Sequence, residues 1–242
     1  MRGTTTPVRV LVYNIHAGTD ASRVSNIDRV AAIISESRAD IVLLQEVDRR
    51  TRRSGAVDQL DSLSQLTRMK GVFGRTIDYD GGEYGLGILS RWEITSDSLV
   101  SLPVDAPHAG YEARGALVAE IERPGGRMRI VNTHLDASRP AYRTQQSAAL
   151  LRAATEPRRA DLIGGDLNSE PLEGVIESLQ AGGFRDLYPT CGAAPGFTFP
   201  VVQPAKRIDY LLSTEGWKCL SATVLSANAS DHRAVLFEVT RQ

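Results

Sequence analysis

The 242-residue sequence predicts an α/β (α+β) fold in which two mixed β-sheets pack face to face with helices outside. Three observations point there. Short aliphatic runs of strand length recur along the chain and alternate with segments of helical period. The alternation occurs twice, and each half carries more apolar surface than its own helices can cover, so two sheets must cover each other. No linker, low-complexity segment or charge block divides the halves, and residues 1–242 read as one domain.

The elements follow in order. Val8 to Tyr13 alternates and is rich in β-branched residues, a strand; Asn26 then caps a helix with Ile27, Val30, Ile33 and Ile34 on one face. Ile41 to Leu44 is a buried strand. A second helix starts near Asp58 and repeats Leu60, Leu63 and Leu66, with strands expected at Val72 to Ile77 and Leu86 to Ser90. Three more strand signals come at Ile94 to Leu102, Ala116 to Ile121 and Met128 to Asn132, the last two joined by a hairpin turn at Pro124-Gly125-Gly126. The second half adds a helix at Ala141 to Ala154 and a strand at Asp161 to Ile163. A short helix with Pro171 as its first residue comes next, and strands at Ile208 to Leu212 and Ala234 to Val239 close the chain.

Bulk properties narrow the function classes. Lys and Arg number 28 against 29 Asp and Glu, a net charge of -1, so no global basic surplus supports tight, salt-sensitive binding to long nucleic acid. The one dense basic run, Arg49-Arg50-Thr51-Arg52-Arg53, is either a solvated loop or a phosphate-contacting one. Cys191 and Cys219 have neither metal-type nor redox-type spacing and are read as free thiols. The apolar run after Pro7 is too short and interrupted for a signal-peptide core, no later run reaches membrane-spanning length, and a cytoplasmic protein is the default expectation.

Chemistry concentrates at strand ends. Glu46 follows four aliphatic residues, which holds its carboxylate at the rim of the core, where a hard cation such as Mg²⁺ or Mn²⁺ would compensate its charge; the alternative is an exposed strand-end glutamate. Asn14 adds a neutral oxygen ligand or an amide donor. In Gly164-Gly165-Asp166-Leu167-Asn168 the glycines allow a sharp turn after a strand, and Asp166 and Asn168 project to one side; the alternative is a turn in which Asn168 or Ser169 caps a helix. His232, beside Asp231 and with Asp209 on another strand, has carboxylates to orient its imidazole, and His134 supplies a second imidazole. The chain has no Gly-x-Ser-x-Gly elbow, Walker loop or zinc spacing. What remains is hydrolysis at phosphorus, with a cation on the phosphate oxygens, an acid/base pair and amides holding the anion.

The ordered set Asn14, Leu44-Gln45-Glu46, Thr133-His134-Leu135, Gly165-Asp166-Leu167-Asn168, Arg207-Ile208-Asp209-Tyr210 and Ser230-Asp231-His232 resembles the endonuclease/exonuclease/phosphatase superfamily over Val8 to Phe237. The resemblance implies a four-layered α/β/β/α sandwich and a Mg²⁺-dependent phosphoesterase. It implies Glu46 as principal metal ligand with Asn14 and Asp231, Asp166 as the residue that activates water, and Asn168 as a holder of the scissile phosphate. His232 is implied as an imidazole oriented by Asp209, and His134 as the second imidazole on the phosphate. Arg114, in a stretch that looks like one bacterial branch, is implied as a second phosphate clamp. Leu86-Gly87 departs from the Asn-Ala common in the family. The expected partner is a phosphate ester: a small molecule, a lipid headgroup or short nucleic acid. A DNA endonuclease or exonuclease is the alternative enzyme, and a catalytically silent binding module on the same fold is the alternative of another class.

Overall fold

Aliphatic strands buried on both faces leave polar residues only at their ends, and this sets the architecture. The computed structural model describes residues 6–242; the polar residues 1–5 lie outside them. The chain runs β1 (Val8–Asn14), a 3₁₀ turn at His16–Gly18, α1 (Ile27–Ser37), β2 (Ile41–Arg49), α2 (Gln59–Thr67), β3 (Lys70–Tyr79), β4 (Gly82–Ser90), β5 (Glu93–Leu102), β6 (Arg114–Arg123) and β7 (Gly126–His134). It continues through α3 (Pro140–Thr155), β8 (Leu162–Asp166), α4 (Gly174–Ala181), β9 (Arg185–Asp186), α5 (Tyr188–Cys191), β10 (Asp209–Ser213), β11 (Trp217–Val224) and β12 (Val235–Arg241).

Two six-stranded mixed sheets result, ordered β11-β12-β1-β2-β4-β3 and β5-β6-β7-β8-β10-β9. Three apolar clusters make the four layers. Val10, Val12, Leu43, Ile88, Leu117, Ile130 and Leu211 fill the space between the sheets. Val30, Ile33 and Ile34 of α1 and Leu60 and Leu63 of α2 cover the outer face of the first sheet against Leu11, Val42 and Leu44. Ala149 and Leu150 of α3 and Ile176 and Leu179 of α4 cover the second against Val118, Val131 and Ile163. The expected α/β/β/α sandwich is what forms.

Several local expectations are corrected. Asn26 occupies the N-cap position of α1, but its side chain makes no capping bond; Asp58 does cap α2, accepting from the Asp61 amide at 3.1 Å. Leu66, read as part of the α2 apolar face, is exposed. Pro171 is not the first residue of α4, which starts at Gly174, because Leu172 takes a left-handed φ of 78° and breaks the turn. Strand β11 escapes the periodicity reading because a bulge between Cys219 and Ser221 shifts its inward-facing positions. Cys191 and Cys219 are not free thiols: they form a disulfide across 28 residues, since Gly192 after α5 bridges Ala222 of β11 and brings the two segments together. Such a bond persists in oxidising compartments, which counts against the cytoplasmic default. No helix among the described residues is long and apolar enough to cross a membrane.

Candidate active site

The sheet register itself assembles the site. On the second sheet Asp166, the last residue of β8, pairs with His134 on parallel β7 and with Asp209 on antiparallel β10, so three functional side chains arrive on adjacent strands. Gly165 makes that pairing possible: its φ is +135°, and a Cβ there would meet the Thr133 carbonyl oxygen at 1.9 Å. The first sheet brings Asn14 at the end of β1 and Glu46 of β2. Glu46 sits in a register shift between Leu44 and Val47 with φ 57°, a strained backbone for a non-glycine residue that turns its side chain out of the ladder. Asp231 and His232 come from the segment before β12. Ser230 fastens that segment, its hydroxyl donating to the Asn14 carbonyl at 2.7 Å and accepting from the His232 amide at 3.2 Å.

These side chains converge on Asp166. Its Oδ1 accepts from the Asn168 amide at 2.9 Å, and its Oδ2 accepts from Asn14 Nδ2 at 3.1 Å. The same Oδ2 lies 3.7 Å from His134 Nε2 and 3.6 Å from His232 Nε2. Asn14 also donates to Glu46 Oε1 at 3.0 Å, while its Oδ1 accepts from the His16 amide at 3.1 Å. The amide therefore presents its NH₂ group to the carboxylates. His232 Nδ1 donates to Asp209 Oδ2 at 3.0 Å, and Phe199 packs on the ring at 4.7 Å between centroids. Asn168, held left-handed at φ 47°, donates to the Leu135 carbonyl and contacts His134 Nε2, both at 3.0 Å. Neither Asn168 nor Ser169 caps a helix.

Burial polarises the groups in different directions. Burial, then the nearby Asp209 charge, pushes the Asp166 carboxyl up to about 7. Burial pulls His232 down, but the charges of Asp209, Asp166 and Asp231 and the Asp209 hydrogen bond outweigh it and raise the imidazole to about 10. His134 goes the other way, well below its ordinary value, through burial and the positive neighbours Arg114 and His232. One imidazole is thus a cation and the other neutral, facing one carboxylate.

The site opens into a cavity of about 520 Å³ whose lining includes Arg53, Tyr79, Tyr84 and Phe199. Glu46, Glu112, Asp166 and Asp231 all line it. Glu112 is lifted mainly by burial, with Arg114 opposing and Glu46 adding. Asp209 Oδ1 is buried with no hydrogen-bond partner among the described residues, and Asp166, Asp209 and His232 bring donor atoms within 4.8 Å of one another. Asp209 and His232 of that group are hydrogen-bonded to each other, and the further carboxylate oxygens of Glu46 and Asp231 line the same cavity, donors of the kind a hard divalent cation takes.

Some contributors were not visible in the sequence. Glu112, half-buried, lies beside Arg114, at 2.6 Å from its Nη1, and nothing in its local pattern marks it as part of the cleft. Gln45 and Asn132 tie the sheets together beneath the site: Gln45 Nε2 donates to Asn132 Oδ1 at 2.7 Å, and Asn132 Nδ2 donates to the Leu44 and Gly87 carbonyls. The basic run resolves into pairs. Arg49 binds Glu83, Arg52 binds Asp80, and Arg53 makes two bonds to the fully buried Asp48 while its guanidinium lies 4.5 Å from the Tyr79 ring centre. Only Arg53 of these reaches the cavity wall. Leu86, at the departure from the family pattern, is buried between the sheets and does not line the cavity.

An acid–base cluster is buried at one edge of an α/β/β/α sandwich and opens on a carboxylate-lined cleft. The model of the endonuclease/exonuclease/phosphatase family matches residues 11–232, and the chain belongs to that family, whose members are hydrolases acting on phosphoesters. Similar solved structures include a family protein from Bacteroides thetaiotaomicron (TM-score 0.83, 18% identity, covering 98% of this chain and 99% of that one). A mannosyl-6-phosphatase from Bacteroides thetaiotaomicron VPI-5482 is similar at TM-score 0.80 and 17% identity, covering 96% and 99% of the two chains. The human Nocturnin catalytic domain with bound sulfate is similar at TM-score 0.74 and 21% identity, covering 98% and 95%. At these identities the likeness is one of fold. No curated protein matches the chain.

Proposed function

We propose that the chain is a Mg²⁺- or Mn²⁺-dependent phosphoesterase that hydrolyses a small-molecule phosphate ester by in-line attack of water on phosphorus. The observation that carries this reading is Asp166 Oδ2 facing His134 Nε2 at 3.7 Å and His232 Nε2 at 3.6 Å, one carboxylate between one neutral and one charged imidazole. Asp166, lifted to about 7, is suited to take a proton from water near neutral pH. As the water oxygen bonds to phosphorus, its proton passes to Asp166, the bond from phosphorus to the ester oxygen breaks, and that oxygen takes the proton of His232 Nε2. Asp209 keeps His232 charged and aimed. His134 and Asn168 hold the non-bridging oxygens from the other side, with Arg114 adding positive charge at the same wall. Glu46 and Asp231 would hold the cation, with Asn14 fixing the Glu46 carboxylate; the cation would supply charge neutralisation on the phosphate oxygens.

A cavity of about 520 Å³ is the size that encloses a small organic ligand, and Tyr79 and Phe199 line it where the group that carries the phosphate would sit. A fold neighbour is a mannosyl-6-phosphatase, which supports the same class of substrate. The test is a panel of p-nitrophenyl phosphate, bis-p-nitrophenyl phosphate, hexose phosphates, sphingomyelin and nicked plasmid, with Mg²⁺, Mn²⁺ or EDTA. Metal-dependent turnover of a small ester that is lost in His232→Ala is expected. Preferred cleavage of the plasmid would select the nuclease alternative, and no turnover of any member would leave a silent binding module.

A further inference from the structure

Arg114 touches His134 rather than standing apart from it, and the chemistry of that contact decides more than charge. Arg114 Nη1 lies 3.2 Å from His134 Nδ1 with its N–H aimed at the ring nitrogen, and both side chains are buried. A guanidinium has five donors and no acceptor and does not lose its proton in a protein. Nδ1 must therefore be the accepting nitrogen, and the one proton of a neutral imidazole must sit on Nε2. The opposite tautomer would set two N–H donors against each other at this distance.

Asn168 stands at the other ring nitrogen, 3.0 Å from Nε2. Its Nδ2 also donates to the Leu135 carbonyl at 3.0 Å, so it can turn its oxygen to Nε2 only by giving up that neutral bond, whereas the charged guanidinium has only donors to offer in any orientation. Arg114 sets the tautomer and Asn168 follows. Arg114 is itself fixed: its Nη1 is 2.6 Å from Glu112 Oε1, and residue 114 begins β6 in register with Leu102 of β5. Glu112 in turn is held against Tyr84, whose hydroxyl bonds it.

We propose that Glu112 and Arg114 form a positioning pair that locks His134 in the Nε2–H tautomer, so that it acts as a neutral hydrogen-bond donor to the reacting phosphate and not as its proton source. The proposal rests on the phosphoesterase reading for its catalytic consequence. It departs from a simple phosphate clamp, since the guanidinium works through the ring it orders. It also divides the labour of the two histidines: His232 carries the transferable proton, and His134 presents a fixed N–H that is ready before the phosphate arrives.

The test is ¹⁵N-detected NMR of the histidine side chains in the folded protein, with kinetics alongside. Wild type should show His134 with its proton on Nε2 throughout the neutral range. Arg114→Met should lose that pattern and lower kcat by about 100-fold, the scale of one lost donor to a developing oxyanion. Arg114→Lys, which restores a donor and no acceptor, should recover the tautomer and most of kcat. Glu112→Gln should loosen the arrangement, with a smaller fall in kcat and a mixed tautomer signal. Circular dichroism establishes that each variant is folded; if Arg114→Met fails to fold, Arg114→Lys and Glu112→Gln carry the comparison. His134 protonated on Nδ1 in wild type would overturn the proposal. An unchanged tautomer in Arg114→Met and Glu112→Gln, with only KM raised, would do the same and leave Arg114 as a clamp. The tautomer readout needs no turnover, so an inactive protein whose His134 follows Arg114 would fail the phosphoesterase reading and keep the positioning pair.

Discussion

Replacing Asp209 by Asn removes a charge from the centre of the site and changes its shape little. His232 Nδ1 lies 3.0 Å from Asp209 Oδ2, and opposite unit charges at that separation attract by about 5 kcal/mol at the effective dielectric of protein sites. The rise of His232 from 6.5 to about 10 corresponds to a similar figure, about 5 kcal/mol in favour of the imidazolium. Without the Asp209 charge and hydrogen bond, burial is opposed only by Asp166 and Asp231, and the imidazole's value falls. Asp166, whose carboxyl is lifted in part by Asp209, moves down as well. Asp209→Asn should therefore lower kcat at pH 8 by about 10²- to 10⁴-fold, the range for loss of an acid–base partner, and shift both limbs of the pH–rate profile toward acid under the same metal concentration. Stability gives a second readout with its own sign. A histidine whose folded value exceeds its unfolded one binds more protons when folded, so its contribution is complete below pH 6.5 and is lost toward pH 10, at about 1.4 kcal/mol per pH unit. Urea melts in EDTA should show that slope in wild type and a flatter one in the variant. Asp209→Asn with wild-type kcat and an unmoved profile would refute the proposed Asp209–His232 pairing.

Three further outcomes are expected. Glu46→Gln, which removes a carboxylate proposed to hold the cation, should abolish the rise in melting temperature expected with Mg²⁺ and cut kcat by at least about 100-fold, read by thermal melts and by turnover against metal concentration. Cys191→Ser with Cys219→Ser opens a loop of 28 residues and should cost about 3–4 kcal/mol in denaturant melts without dithiothreitol, with dithiothreitol lowering wild type toward the variant. Asn132→Ala leaves the fully buried Gln45 amide only the Leu43 carbonyl as acceptor and takes a donor from the Leu44 and Gly87 carbonyls; it should destabilise the fold by about 1–3 kcal/mol, also read by denaturant melts.

The layers were legible in the sequence because the strands are nearly continuous aliphatic runs, such as Ile41 to Leu44, and the helices carry clear faces, as Val30, Ile33 and Ile34 do. Edge elements were not: β11 hides behind its bulge, and Pro171 marks a helix that Leu172 delays. For the site, strand-end motifs named Asn14, Glu46, His134, Asp166, Asn168, Asp209, Asp231 and His232; the register of β7, β8 and β10 brings His134, Asp166 and Asp209 together, while the packing of the first sheet on the second brings Asn14 and Glu46, and Ser230 fastens the segment that carries Asp231 and His232. Glu112, Gln45 and Asn132 were hidden, since their importance comes from burial and from partners on the opposite sheet or a distant loop. The disulfide was hidden for the same reason: a spacing of 28 residues carries no geometry until α5 and β11 are seen side by side.

Hydrolysis of the best small phosphate monoester in ¹⁸O-labelled water, with Mg²⁺, by wild type and Asp166→Asn tests most directly whether water attacks phosphorus with Asp166 as its base. The expected result is one labelled oxygen in the released inorganic phosphate, none in the alcohol, and a rate at least about 100-fold lower in the variant. Label in the alcohol, or an Asp166→Asn enzyme as fast as wild type, would contradict it.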